Sequence, residues 1–256
     1  LLLCTSRVSR TRSKLGDLRS IMNYVFCLKY GNKYSAEYVN KLYNGVKRNL
    51  TVPFEFVCIT EDSTGINPEV VIKDLPITNG VTGWWYKPFI FDPNIGLEGT
   101  ILFLDLDMII FRNIDCLFTY KPGKFCIIRD FNRFIVKNFK KMNSSIFRLQ
   151  AGSMPNIYLD FIKRPQVITN RYPGDQDWIY ANLKNTSNFE YWPDEWIRSY
   201  KWEMRGRPKF NMALTGQRDF AVNGDPIITD EVKIAVFHGE PNPHNCKDQW
   251  VIDNWK

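Results

Sequence analysis

Short apolar runs and one amphipathic stretch alternate from Met22 to Leu104. Tyr24 to Lys29, "YVFCLK", reads as a strand, and the polar "YGNKYS" beyond it turns the chain. Ser35 is placed to cap a helix, since Val39, Leu42, Tyr43, Val46 and Leu50 then recur at helical spacing on one face. Phe54 to Thr60 predicts a second strand and Glu69 to Asp74 a short third. The aromatic segment "GWWYKPFIF" then leads to Ile101–Leu104, four consecutive apolar residues of the kind a strand needs when both its faces are covered. From Lys124 on, the stretches "KFCIIRD", "IFRLQAG" and "KIAVFHG" predict short strands. Helices are expected at Met154 to Ile162, Asp175 to Leu183 and Cys246 to Trp255. Strand, helix, strand repeated in this way predicts an α/β fold with a mainly parallel central sheet flanked by helices.

Composition narrows the class. A chain of 256 residues with 44% hydrophobic content can bury one large core, and a single domain over 22–256 is expected. The six cysteines are scattered singly without metal-ligand spacing, so Cys27, Cys58, Cys116 and Cys126 are expected to be small core residues. The net charge of +7 is concentrated in residues 1–21, where Arg7, Arg10, Arg12, Lys14 and Arg19 face only Asp17, and this argues against a nucleic-acid surface. That stretch shows no apolar period and is expected to lie outside the fold as a leader. Its apolar residues precede its basic ones, the reverse of a signal peptide. No apolar run is long enough to span a membrane, and the expected location is cytoplasmic.

The chemistry is carried by "ILFLDLDMI". Asp105 and Asp107 stand two positions apart at the end of the apolar strand, so period-two geometry aims both carboxylates to one side. In open α/β sheets ligands bind beyond the carboxyl ends of the strands. Two carboxylates held so close raise each other's pKa unless a cation lies between them, which makes a divalent metal the expected occupant.

These features, with "NIDCLF" directly after the strand, "NSSIFR" at Asn143–Arg148, "GDQDWI" at Gly174–Ile179 and "FHGEPNP" at Phe237–Pro243, resemble a GT-A glycosyltransferase. More narrowly, the chain is similar to glycosyltransferase family 8 and its bacterial and viral relatives, over most of Met22 to Trp255. The resemblance implies a metal-dependent transfer of a sugar from a nucleotide-sugar, by family default a UDP-sugar, to a carbohydrate or glycan acceptor. It implies Mn²⁺ (or Mg²⁺) on Asp105, Asp107 and His238, with the borderline nitrogen of His238 favouring Mn²⁺. Donor contacts are implied at Lys29, Tyr30, Asp62, Lys87, Leu106, Asn143, Ser144, Lys201 and Gly239. Sugar recognition and catalysis fall to Asp175, Gln176 and Asp177, although Asp175 also suits a helix cap and Asp177 a first helical turn. Trp84 and Trp85 are expected to be core or wall. His244, in a Pro-rich loop, is expected at the surface. The family's lysine soon after the His-Gly strand has no counterpart, since Lys247 comes late.

Two other readings stay open. The strand and its acids are also similar to haloacid-dehalogenase-type phosphatases, in which the first Asp is a nucleophile and the second a general acid beside Mg²⁺. That motif normally lies near the N-terminus with Thr or Val two places after the second Asp, where this chain has Ile109. A non-catalytic carbohydrate- or nucleotide-binding module is the other, with the eight tryptophans serving recognition alone.

Overall fold

A computed structural model describes residues 22–76, 78, 80–205 and 226–256. The expected leader, residues 1–21, lies outside them. A seven-stranded sheet forms the centre. Its strands are β1 (Met22–Lys29), β2 (Glu55–Thr60), β3 (Val71–Asp74), β4 (Gly99–Leu104), β6 (Phe125–Arg129), β7 (Met142–Gln150) and β8 (Phe189–Tyr191). Their order across the sheet is β3-β2-β1-β4-β7-β6-β8. Pairing is parallel from β3 to β4, antiparallel on both sides of β7, and parallel again between β6 and β8. A second sheet of three strands, β5 (Met108–Ile110), β10 (Ile234–Val236) and β9 (Ile197–Ser199), lies beyond the end of β4.

Two core clusters cover the two faces of the central sheet. Along β1, Val25 and Cys27 point into one cluster and Phe26 and Leu28 into the other, the period-two alternation of a strand with no solvent face. The first cluster is sealed by helix α1 (Ala36–Asn49), which buries Tyr38, Val39, Leu42, Tyr43 and Val46 along one stripe. Helix α2 (Cys116–Thr119) borders the same cluster. The second cluster is sealed by α3 (Asn156–Lys163), α4 (Pro165–Arg171), α5 (Asp175–Leu183) and a 3₁₀ segment over Gly83–Phe91. Helix α6 (Gln249–Asn254) packs Val251 against a third, smaller cluster around β10.

Cys27, Cys58 and Cys126 are buried, whereas Cys116 is only half-buried. Arg148, on β7, is fully buried, and among the described residues it forms no ion pair with a carboxylate. Its guanidinium donates to the carbonyls of Leu117 and Phe118 at 2.8 Å each, Lys121 at 2.8 Å and Lys124 at 3.1 Å. Among the described residues no helix is long and apolar enough to cross a membrane.

Candidate active site

The chain leaves the large sheet at Leu104 and enters the small one at Met108, so Asp105, Leu106 and Asp107 form the crossing between them. Backbone hydrogen bonds fix both ends of the crossing: Asp105 N donates to the Ser145 carbonyl and Phe237 N to the Asp107 carbonyl, each at 2.8 Å. Leu106 is buried in the first core cluster and pins the middle. The two carboxylates are thereby left on the wall of a cleft of about 350 Å³. Lys33, Tyr34, Trp84, Lys87, Ser144 and the Gly174–Asp177 stretch line it as well.

Lys87 organises the floor. Its Nζ lies 2.9 and 3.0 Å from the two oxygens of Asp105, 3.2 Å from the Ser144 carbonyl and 3.9 Å from Oδ2 of Asp175. Burial works against the ammonium charge, but Asp105 and Asp175 more than compensate and hold the lysine above its ordinary pKa. Asp175 is buried in turn, and burial raises its pKa against the pull of Lys87. Its Oδ2 has no hydrogen-bond partner. Asp107 is pushed up to about 6, by burial first and by the charge of Asp105 second, while a 2.9 Å hydrogen bond from the Tyr34 hydroxyl opposes the rise.

The acids of the "GDQD" stretch divide between floor and rim. Gly174 takes the N-cap position of α5, with Asp175 the first helical residue, so Asp175 does not cap the helix as its type suggested. Gln176 Nε2 is 3.4 Å from Asp130 Oδ2, and Asp177 meets Lys141 at 3.1 Å near the surface. Among the implied donor residues, Tyr30, Lys87, Leu106 and Ser144 line the cleft. Asn143 instead accepts from Ser145 N at 2.9 Å and shapes the strand end. Lys29 and Asp62 are brought together at the ends of β1 and β2, where Lys29 Nζ donates to the Asp62 carbonyl at 3.0 Å.

His238 follows directly on Phe237, whose N–H donates to the Asp107 carbonyl. Its Nε2 is 2.6 Å from the Ser199 hydroxyl, and its ring stacks on Phe131 at 5.3 Å and meets Trp202 edge-on at 4.6 Å. Among the described residues no three His, Cys, Asp or Glu side chains are close enough together to hold a metal ion. Lys201 is buried, and its ammonium donates to the carbonyls of His238 and, at 2.7 Å, Glu240, beside Gly239. His244 is exposed, as expected, and pairs with the Tyr38 hydroxyl.

Sequence reasoning missed Lys33, Tyr34 and Ser145. The available signal was position: Lys33 and Tyr34 sit in the turn directly after β1, and Ser145 pairs with Asp105 at the start of β7.

The architecture matches solved glycosyltransferases. The glycosyltransferase GlyE of Streptococcus pneumoniae TIGR4 superimposes with a TM-score of 0.61 over 91% of this chain, at 12% identity. This is the GT-A fold. The galactosyltransferase LgtC, solved with donor and acceptor sugar analogs, matches with a TM-score of 0.55 at 12% identity, over 90% of this chain and 93% of its own. Mouse xyloside xylosyltransferase 1 gives 0.51 at 13% identity, over 86% of this chain and 98% of its own. The chain spans 60% of the length of GlyE. Neither a protein-family model nor a curated protein matches the sequence.

Proposed function

We propose that the protein is a metal-dependent glycosyltransferase, moving a sugar from a nucleoside-diphosphate sugar, a UDP-sugar by resemblance, to a glycan acceptor. The observation that carries this reading is the pair of carboxylates, Asp105 and Asp107, at the carboxyl end of a central strand of a GT-A fold, beside a buried lysine. The fold favours transfer over the dehalogenase-type alternative.

The acids fit a divalent cation. They are hard oxygen donors suited to Mn²⁺ or Mg²⁺, and the raised pKa of Asp107 reflects burial first and repulsion from Asp105 second, both of which a cation would offset. Asp105 and Asp107 would hold the ion, and His238 is proposed as a further ligand that would have to leave the Ser199 hydroxyl to join them. When bound, the ion supplies Lewis-acid stabilisation to a departing diphosphate.

The chain's own side chains do the rest. Lys87 fixes Asp105 in one orientation and keeps a positive charge below the cleft. Asp175 is held at the floor 3.9 Å from the Lys87 ammonium and is proposed to face a sugar hydroxyl. Gln176 is the glutamine lining this cleft, and LgtC has an active-site variant in which glutamine is replaced by glutamate. Asp177, on the cleft lining and paired with Lys141, is proposed to steady the positive charge that develops at an anomeric carbon, an interaction that is strongest in the transition state. Lys29, Tyr30 and Asp62, at the ends of β1 and β2, are proposed to face the base and ribose.

A screen of nucleotide-sugars for Mn²⁺-dependent hydrolysis tests the reading without knowledge of the acceptor. Release of one nucleoside diphosphate from a subset of donors is expected. Absence of turnover with every donor, beside unaltered nucleotide affinity on chelation, would count against it and favour a binding module.

A further inference from the structure

Two adjacent tryptophans meet different fates. Trp85 is buried, with 7% of its surface exposed, and stacks on Phe161 at 5.7 Å with the rings 6° from parallel. Trp84 is 50% exposed, and among the described residues it stacks on no other ring. The 3₁₀ segment explains the split. With three residues per turn, positions i and i+3 lie on one side, so Trp84 stands directly above Lys87 while Trp85 turns into the core. The side chain at the floor and the indole at the rim therefore line the same wall of the cleft.

Two glycines hold the indole there. Gly83 enters the segment at φ +65°, a left-handed conformation that a side chain resists, and the Tyr30 ring would sit 3.9 Å from a Cβ at this position. Gly174 opens α5 without a side chain, and Trp84 Nε1 would lie 3.7 Å from a Cβ there. The indole edge thus rests beside the first turn of α5, next to Gln176 and Asp177. Tyr30, directly after β1, borders Gly83 on the other side.

We infer that Trp84 is the platform on which the acceptor presents the apolar C–H face of a pyranose ring. An aromatic face carries partial negative charge and attracts the weakly positive C–H hydrogens of a sugar, while its area removes that face from water. Gln176 and Asp177 stand beside it to meet the hydroxyls at the ring edge. The acceptor class is accordingly a glycan or glycoside terminating in a pyranose with one unobstructed C–H face. The inference rests on the transferase reading and adds an aromatic residue of its acceptor site.

Saturation-transfer NMR with methyl β-galactopyranoside and methyl β-glucopyranoside, in the presence of UDP and Mn²⁺, tests it on the whole chain. Trp84→Ala should weaken glycoside affinity by about five- to tenfold, and by more than it changes UDP affinity, whereas Trp84→Phe should restore most of it. A thermal melt of each variant checks that it is folded. Glycoside affinity unaltered in Trp84→Ala, or no glycoside binding by the parent protein, overturns the inference. A loss confined to UDP places the indole against the base and overturns it too. Trp84-dependent glycoside binding by a protein that hydrolyses no nucleotide-sugar would keep the platform and remove the transferase reading.

Discussion

The floor of the cleft and the corner around Glu203 both bury charge, and they handle it differently. At the corner, Glu203 receives Arg133 at 3.1 Å, Arg198 at 3.0 Å and the Ser199 backbone N–H at 2.8 Å, while Asp194 receives Arg129 at 2.7 Å. Ser199 also holds His238 and accepts from Trp202 N at 3.2 Å. At the floor, Asp105 and Asp175 share Lys87, while Asp107 is eased by the Tyr34 hydroxyl and the charge of Lys33. Asp107 is driven towards neutrality and one oxygen of Asp175 lacks a hydrogen bond. A buried ion pair that is fully answered holds elements in register. One left short of positive charge beside an open cleft is arranged for a ligand that brings the missing charge.

The sharpest way to break this contrast is to remove charge at the floor. Asp107→Asn should fold normally and weaken Mn²⁺-dependent binding of the nucleoside diphosphate by on the order of a hundredfold or more, since a direct ligand matters more than an outer partner. Calorimetry with and without Mn²⁺ reads this. Asp115→Asn is the matched control: Asp115 receives Thr51 N at 2.8 Å outside the cleft, so donor affinity should hold while stability falls by about 1 kcal/mol. Equal nucleotide affinity in Asp107→Asn and the parent would sink the metal reading.

Next in size is Asp177→Asn. If this carboxylate acts on the transferring sugar, kcat and kcat/KM should fall together by about a hundredfold with affinity for free UDP intact. If it serves only the helix and Lys141, turnover stays near normal and stability changes by less than about 1 kcal/mol. Steady-state kinetics beside a thermal melt decides.

His238→Ala probes the corner itself. As the proposed third ligand it should weaken Mn²⁺ binding to the nucleotide complex by about tenfold, less than Asp107→Asn does. Were the ring there only to fill space between Phe131 and Trp202, the variant would melt earlier and bind Mn²⁺ as the parent does.

The smallest expected effect is on pH. The folded-state pKa of Asp107, about 6, lies above its ordinary 3.8, so the folded protein binds this proton more tightly than the unfolded chain does. Without metal, lowering the pH through about 6 should stabilise the fold through this group, and raising it should withdraw that stability. Metal affinity should move the opposite way, falling as the proton competes for the same oxygens. Melting curves of parent and Asp107→Asn across this range should differ in slope, and identical slopes would show that Asp107 titrates as an ordinary surface acid.

Much of the architecture was legible in the sequence. Strands covered on both faces leave unbroken apolar runs, as in β1 and β4, and α1 and α5 begin where their expected start signals stand. The direction of β7 was not legible, because burial alternates alike in parallel and antiparallel strands. Its beginning was hidden for another reason: Ser144 and Ser145 are polar because they border the cleft, and with Asn143 they broke the pattern that would have marked a strand. The pairing of the two acids at one site followed from spacing alone. Lys201, an implied donor contact, is buried with its ammonium on backbone carbonyls, an arrangement that no side-chain pattern displays. Trp84 and Trp85 were expected as core or wall, and Trp85 is core while Trp84 is wall; which is which follows from three residues per turn, not from an apolar count.

Arg148 sets an order of events during folding. The four carbonyls it satisfies belong to Leu117, Phe118, Lys121 and Lys124, which precede it in the chain, while Arg148 itself arrives on β7. Until β7 docks against β4, that loop has no guanidinium to close upon and its carbonyls stay with water. The loop is therefore a late passenger on the insertion of one antiparallel strand, and its amides should gain protection from exchange together with those of β7, as one cooperative unit.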